Sequence, residues 1–316
     1  LLSDETRHVI EVINYVFLSS SLALFGIVGN IVTIAVLVRQ GLDKTANITF
    51  MGLAVSDLCG LIALQWYILC FNPLFVNSGV PMVPSEVQHL TGGFVKACFT
   101  RITCWITVFI TAERCLCVVT PFKAGRLITT RRVTFIVCSI YIIMMASLLP
   151  EYCTMYIGWK FYADKNQTLL GLVVRKENDQ VSGLTFLLYA VYILVSFLFE
   201  IVLTALLVIE LKRKTKWRTG STSDKEQSDA MSSRDQKAVR MVVVIAIVLI
   251  VCFTPSVVLS AAGFLVPGFG VVGKYTNLFF ATWSFGFLFD SFNSSVTVIL
   301  YYTMSSKYRD TFHELL

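Results

Sequence analysis

Residues 239–262 read VRMVVVIAIVLIVCFTPSVVLSAA and contain one charged side chain, that of Arg240. An α-helix rises 1.5 Å per residue, so about 20 apolar residues cross the roughly 30 Å hydrocarbon core of a bilayer. This segment is long enough and apolar enough to do so. It is therefore predicted to be a membrane-spanning helix.

Six further segments of similar length and composition accompany this one. Of the 316 residues, 56% are hydrophobic and 15% are charged, and the mean hydropathy is +0.72. Such a chain is more apolar than ordinary soluble domains. We predict an all-α membrane protein, with one seven-transmembrane helix bundle over residues 15–302. The predicted spans are 15–38, 49–70, 90–119, 133–150, 184–209, 239–262 and 278–302.

The distribution of positive charge between the spans predicts the orientation of the bundle. Residues 120–132 carry four basic side chains and no acidic one, and residues 210–240 are rich in Lys and Arg. Cytoplasmic loops retain positive charge during insertion, so these two loops are predicted to be cytoplasmic. Residues 1–14 then form an extracellular segment, and the sequon at Asn166 lies outside, where it can be glycosylated. These assignments predict a multi-pass protein of the plasma membrane.

Two segments on the predicted cytoplasmic side differ from the spans. Residues 210–238 form the third cytoplasmic loop, and its Ser-rich part at 220–237 has too few bulky apolar residues to fold alone. We therefore predict a mobile loop there. In residues 303–316, Tyr308 and Phe312 recur at helical spacing between charged residues, which predicts an amphipathic helix on the membrane surface.

Short motifs fall at particular places within the predicted spans. They are Gly29-Asn30, LAVSDL at 53–58, Glu113-Arg114-Cys115 followed by Pro121, CFTP at 252–255, and Tyr301. In these motifs the chain resembles the rhodopsin-like (class A) G-protein-coupled receptors over nearly its whole length. Within that family, FNPLFVNS (71–78), PSEVQHLTGG (84–93) and YYTMSSKYR (301–309) resemble mollusc chemosensory receptors and FMRFamide-type peptide receptors.

Several features depart from the family pattern. Residues 297–301 read TVILY where the family has NPxxY, and the fifth span lacks the usual Pro and Tyr. His89 stands where the family has the Cys that joins the third span to the following loop. The usual disulfide is therefore in doubt, and a pairing of Cys70 with Cys153 or Cys98 is the alternative.

The resemblance implies a switch at the inner end of the third span. Arg114 cannot lose its charge, and Glu113 and Asp235 are the acids that would hold it in a resting receptor. Loss of the Asp235 contact, as the sixth span swings outward, would free Arg114 for a G protein. Pro121 and Tyr301 belong to the same coupling motifs. An Arg that snorkels to the membrane interface is the structural alternative.

A carboxyl group in the second span indicates a polar pocket. Asp57 lies about nine residues into that span, where a carboxyl must be neutral, hydrogen-bonded or matched by a cation. Asn30, Thr103 and Asn293 are predicted to complete the pocket, with Ser294 as a further candidate. The resemblance implies an allosteric Na+ bound at Asp57, and a water-filled network is the alternative.

The sixth span combines a bulky aromatic residue with a proline. Pro255 removes a backbone hydrogen bond and kinks the helix beside Phe253. In the family this pair transmits ligand contact to the inner half of the bundle. A packed aromatic next to a structural kink is the alternative.

The outer half of the bundle carries unusual charges. Lys96 and Arg101 interrupt the third span, and intramembrane charges indicate functional sites by default. Arg101 and Asp290 lie at similar depths, roughly 18 Å below their outer helix ends, which suggests an ion pair. The second basic group would then favour an anionic ligand group. Satisfaction of both by Asp290, Glu200 and backbone carbonyls is the alternative. Trp105 adds aromatic surface to this candidate ligand pocket.

Together these features predict a G-protein-coupled receptor that converts binding of an extracellular small molecule or neuropeptide into activation of a heterotrimeric G protein. Its expected partners are the lipid membrane, the ligand, the G protein, arrestin and a receptor kinase. A seven-helix transporter or channel is the alternative, but the sequence lacks the pseudo-repeats typical of transporters. Metal-ligand clusters and catalytic triads are also missing, so neither an enzyme nor a nucleic-acid-binding protein is expected, and no cofactor beyond Na+.

Overall fold

The computed structural model describes residues 2–176, 178–220, 233–270 and 273–315, which form a helical bundle with one β-hairpin. Its elements in chain order are α1 (Asp4–Glu11), α2 (Ser20–Gln40), α3 (Thr45–Phe71), α4 (Pro73–Val76), α5 (Pro84–Gln88), α6 (Phe94–Val119), α7 (Pro121–Leu127), α8 (Thr130–Ala146), α9 (Leu149–Thr154), β1 (Met155–Tyr162), β2 (Gln167–Val174), α10 (Asn178–Gly220), α11 (Ser233–Leu265), α12 (Thr276–Met304) and α13 (Ser306–Leu315).

Seven long helices, α2, α3, α6, α8, α10, α11 and α12, form the bundle. Six of the described helical stretches are long and apolar enough to cross a membrane. The seventh, α12, has 29 residues, and its buried side chains are mostly polar, which lowers its apolar content. These buried residues are Ala281, Ser284, Gly286, Ser291, Asn293, Ser295, Thr297 and Tyr301. The predicted all-α seven-helix membrane bundle is confirmed.

The first span begins earlier than the sequence suggested. Helix α1 continues through a π-helical stretch, Val12–Ser19, into α2, so most of the predicted segment 1–14 is helical. The Ser3 hydroxyl accepts a hydrogen bond from the Thr6 N–H at 3.2 Å. Such a cap, followed by acidic residues in the first turn, stabilises a helix start.

The fifth and sixth spans also extend further than predicted. Helix α10 continues to Gly220 and α11 begins at Ser233, so the predicted loop 210–238 is helical at both ends. Residues 212–218 are mostly Lys and Arg, which are good helix formers. The intervening residues 221–232 lie outside the described part.

The amphipathic helix predicted for residues 303–316 is present as α13. Its Tyr308 is buried, and the phenol oxygen lies 2.9 Å from the Thr33 hydroxyl on α2. The ring of Tyr308 also packs 5.7 Å from that of Tyr301, measured between centroids. Helix α13 is thereby anchored to the inner ends of α2 and α12.

Helix α6 runs through the centre of the bundle. Ile102, Ile106 and Ile110 repeat every fourth residue along it and are fully buried in one core cluster with residues of α3, α8, α10 and α11. Close contact between α2 and α12 requires glycine, because a Cβ at Gly29 would lie 2.7 Å from Val298 Cγ1. This contact explains the glycine of the Gly29-Asn30 motif.

A β-hairpin caps the end of the bundle opposite α13, which is called the outer end below. Strands β1 and β2 pair antiparallel from Met155↔Val174 to Tyr162↔Gln167, and Asn166 lies at the exposed tip with a φ of 48°. These strands differ from the all-helical expectation for this loop. Their β-branched and aromatic residues around the polar turn at 163–166 are the signal that indicates a hairpin.

The hairpin is held without a disulfide. All nine cysteines lie in the described residues, and no disulfide joins any two of them, so the alternative pairings of Cys70 are not formed. Instead, one oxygen of Glu86 accepts hydrogen bonds from the Tyr162 hydroxyl at 2.7 Å and the Leu172 N–H at 2.9 Å. A side chain at Gly171 would overlap the Tyr162 oxygen, which explains the glycine there.

Candidate functional site

The inner end of α6 holds the predicted switch arginine. Arg114 Nη2 lies 2.9 Å from Oε1 of its neighbour Glu113, whose side chain is 1% exposed. The same oxygen accepts a hydrogen bond from the Thr45 hydroxyl at 2.8 Å. Thr45 opens α3, so the acid joins the switch to a second helix. The side chain of Asp235 lies outside the described residues, and the predicted Arg114–Asp235 pair remains a prediction.

Two other predicted coupling residues lie near this end. Pro121 is the first residue of α7 and is exposed. Tyr301 is buried on α12 against Phe50, with ring centroids 5.1 Å apart. Within the described residues, its hydroxyl has no hydrogen-bond partner.

Asp57 is buried in the middle of the bundle among hydroxyl groups. Its Oδ1 accepts hydrogen bonds from Thr103 Oγ1 and Ser294 Oγ, each at 2.9 Å. Its Oδ2 has no partner in the described part of the chain. Asn30 Nδ2 donates to the Ser294 carbonyl at 2.9 Å, which places Asn30 beside the site.

The predicted pocket at Asp57 therefore needs one correction. Of the two neighbours named for it, Ser294 hydrogen-bonds to the carboxylate, whereas Asn293 is buried without such a bond among the described residues. Successive helical residues project about 100° apart, so only one of two neighbours faces a given point. The sequence placed both residues at this depth but did not define the rotation of α12.

An ion pair joins α6 and α12 in the outer half of the bundle. Lys96 Nζ contacts Asp290 Oδ2, and both side chains are about nine-tenths buried. The ammonium group also lies 4.4 Å from the centroid of the Phe287 ring. The charges predicted for this region are present, but the partner of Asp290 is Lys96.

The predicted Arg101–Asp290 pair is wrong. Arg101 Nη1 donates to the Ser147 hydroxyl at 3.1 Å, and the guanidinium carbon lies 5.2 Å from the centroid of the Tyr189 ring. Five residues separate Lys96 from Arg101, which corresponds to a rotation of about 140° around the helix. The two side chains therefore leave α6 in different directions, and depth alone was not enough to choose between them.

Two cavities meet at the Lys96–Asp290 pair. The larger, called the outer cavity, lies among α6, α10, α11 and α12 and contains about 390 Å³ of empty space when the solvent at its opening is counted. The smaller, called the inner cavity, contains about 250 Å³ on the same measure and reaches Thr103 and Ser294, the two residues that donate to Asp57. Lys96 and Asp290 line both, so the ion pair stands between a candidate ligand cavity and the polar pocket.

The aromatic residues predicted for this region have different positions. Phe253 is 3% exposed and lines the outer cavity, one turn from Ser256 on the same helix. Pro255 lies inside α11, as the predicted kink requires. Trp105 does not line the outer cavity and packs instead toward Phe199, with ring centroids 6.5 Å apart.

Glu200 is a buried acid whose partner differs from those considered from the sequence. Glu200 on α10 is fully buried, and its Oε1 accepts a hydrogen bond from Thr111 Oγ1 at 2.8 Å. It therefore does not neutralise Lys96 or Arg101, as one alternative supposed. Among the described residues, its second oxygen has no partner. An isolated acid in an apolar span was visible in the sequence, but its partner was not.

Comparisons with known proteins agree with this architecture. The sequence model of the family described as "Serpentine type 7TM GPCR chemoreceptor Srw" matches residues 17–316. A galanin-like G-protein coupled receptor, npr-9 of Caenorhabditis elegans, is 29% identical over 129 residues, which are 40% of this chain. The match spans 28% of that relative's length.

Proposed function

The chain belongs to the Srw family of serpentine seven-transmembrane G-protein-coupled chemoreceptors, and we propose that its stimulus binds in the outer cavity. The protein is thus a G-protein-coupled receptor in a membrane. Family membership gives no support to the transporter or channel alternative, or to an enzyme. The observation that carries the proposal is the Lys96–Asp290 pair, because buried intramembrane charges beside an aromatic cavity are typical of a binding site.

The proposed signal passes from the outer cavity to the pocket at Asp57. A ligand that contacts Lys96 or Asp290 changes the ion pair between α6 and α12. The same pair lines the inner cavity, where Thr103 and Ser294 from these two helices both bind Asp57. A shift of either helix therefore alters the hydrogen bonds of Asp57 directly.

The pocket at Asp57 fits a small hard cation. It offers a carboxylate oxygen without a partner in the described residues and hydroxyl oxygens of Ser56, Thr103 and Ser294. Oxygen ligands of this kind suit Na+, which would supply a positive charge against the buried carboxylate. We propose Na+ here, with water as the alternative occupant. In either case, the hydroxyl groups of Thr103 and Ser294 hydrogen-bond to Asp57.

The proposed output is release of Arg114 from its acidic partners. Glu113 holds it in the described conformation, and Asp235 is the second proposed partner. Release would present the guanidinium to a heterotrimeric G protein, with Pro121 and Tyr301 in supporting positions. Arrestin and a receptor kinase are further proposed partners of the same end.

The proposed location is the plasma membrane, with the N-terminus and the hairpin outside the cell. Asn166 supports this orientation, because its sequon lies at an exposed hairpin tip that a glycosyltransferase can reach. Loss of a mass shift after Asn166→Gln, compared with wild type treated with a glycosidase, would test the orientation.

The receptor function is tested by nucleotide exchange on a heterotrimeric G protein in membranes that contain the chain. The membranes are challenged with amino acids, small organic acids and amidated peptides. Arg114→Ala should abolish the stimulated exchange. Arg131→Ala removes an exposed Arg from the same predicted side and should retain it. An equal response from the two variants at equal surface expression would contradict the proposed switch.

A further inference from the structure

The outer cavity contains one positive and one negative side chain, which neutralise each other. Among the described residues that line it, Lys96 and Asp290 are the only ones that carry a charge. Arg101 does not line the cavity itself; it donates to Ser147, and its guanidinium carbon lies 5.2 Å from the ring of Tyr189, which does line it. The charges on the cavity lining therefore balance, and the lining does not favour an anionic ligand over a zwitterionic one.

A ligand with a single charge would bind poorly at such a pair. An ammonium group at Asp290 would add a second positive charge beside Lys96, with one carboxylate to neutralise both. A carboxylate at Lys96 would likewise add a second negative charge beside Asp290. A buried charge without a matching opposite charge is strongly destabilising, so it offsets the new contact.

Two buried polar atoms of residues that line the cavity lack partners. Asp290 Oδ1 and Trp283 Nε1 make no hydrogen bond within the described residues. The first can only accept a hydrogen bond and the second can only donate one. A ligand that satisfies both must carry a donor and an acceptor.

The remainder of the outer cavity is aromatic. Tyr189, Phe253, Trp283 and Phe287 contribute rings to it. A compact ligand with an aromatic or other apolar body matches the chemistry of this lining.

We propose that the stimulus is a small zwitterion with an aromatic or bulky apolar body, of the α-amino acid type. Its ammonium group binds Asp290, and its carboxylate binds Lys96 and the Trp283 N–H. The ligand thus adds one charge of each sign, and neither Lys96 nor Asp290 is left without an opposite charge. This inference rests on the proposed function in one respect, the assignment of the outer cavity as the stimulus site.

Three probes share one aromatic body and differ in the charged groups that they carry. They are L-phenylalanine, which carries both, 2-phenylethylamine, which carries only the ammonium, and 3-phenylpropanoate, which carries only the carboxylate. Binding is measured by calorimetry on the full chain in lipid nanodiscs, without G protein. We expect L-phenylalanine to bind at least about 30-fold more tightly than either analogue, because it makes both charge-assisted contacts.

Variants that change one charge should change which of the three probes binds most tightly. A purely structural role of the ion pair would not produce this change. Lys96→Met leaves Asp290 alone and should bind 2-phenylethylamine best. Asp290→Asn leaves Lys96 alone and should bind 3-phenylpropanoate best. The exchanged variant Lys96→Asp/Asp290→Lys keeps a neutral pair and should again prefer L-phenylalanine. This variant provides the test if either single variant fails to fold.

The possible failures are distinguishable. Binding of the analogues as tightly as L-phenylalanine, no binding of L-phenylalanine to wild type, or unchanged preferences in the variants would each overturn the ligand class. Nucleotide exchange, with Arg114→Ala as its control, reports on receptor function separately. Exchange driven by another stimulus while L-phenylalanine fails to bind would retain the receptor and reject the zwitterion.

Discussion

Replacement of Glu86 by alanine should loosen the hairpin that caps the outer end. One carboxylate oxygen accepts two hydrogen bonds, from Tyr162 and from the Leu172 N–H. Hydrogen bonds to charged groups contribute about 1.5–3 kcal/mol each, but the Glu86 side chain is 30% exposed and water competes for it. Lys160, at 3.9 Å and half exposed, adds little. We expect the local free energy of opening to fall by about 2 kcal/mol.

Amide hydrogen exchange across residues 167–174 measures this change directly. A loss of about 2 kcal/mol corresponds to about 30-fold weaker protection of the Leu172 amide. The matched control is Glu5→Ala, which removes an exposed acid from the first turn of α1. Dithiothreitol should leave the protection of wild type unchanged, because no disulfide holds the hairpin. Unchanged protection of Leu172 in Glu86→Ala would refute the assignment of Glu86 as the anchor.

Three further changes test other contacts. Gly26→Ala should lower stability by about 1–3 kcal/mol, since its Cβ would overlap α12; Gly125→Ala, with open space around it, is the control in thermal unfolding. Thr45→Val removes a hydroxyl that restrains the switch acid, so basal nucleotide exchange should rise about two- to tenfold, and a fall would contradict this role. Burial and the hydrogen bond to Glu86 raise the pKa of Tyr162 to about 12. The neutral phenol therefore stabilises the hairpin below about pH 10, and this stability is lost as the pH rises through about 12. Glu86→Gln should lower that pKa, as measured by NMR of labelled tyrosine, and an unchanged value would argue against the contact.

The spans were predictable because hydropathy is a local property. An unbroken apolar run such as 239–262 indicates a membrane helix whatever its neighbours are. The amphipathic α13 was predictable for the same reason, from the spacing of Tyr308 and Phe312. The ends of α10 and α11 were not, because charged residues end an apolar run without ending a helix.

Contacts between helices were less predictable, because they depend on helix rotation as well as depth. Depth alone paired Arg101 with Asp290, whereas the direction of the side chains pairs Lys96 with it. In the same way, Ser294 rather than Asn293 faces the carboxylate on α3. The hairpin was not predicted, because the length of an apolar run indicates membrane helices and carries no information about short strands.

The central helix α6 contributes to three of the charged sites described above. It contributes Lys96 to the outer ion pair, Thr103 to the pocket at Asp57, and Arg114 to the switch at the inner end. Seven residues separate Lys96 from Thr103, about two helical turns, so both project toward α12. A ligand that binds at the ion pair, as proposed, would therefore act on the same helix that carries Arg114. By thermodynamic reciprocity, a cation at Asp57 and a ligand in the outer cavity must influence each other's affinity if both act through α6.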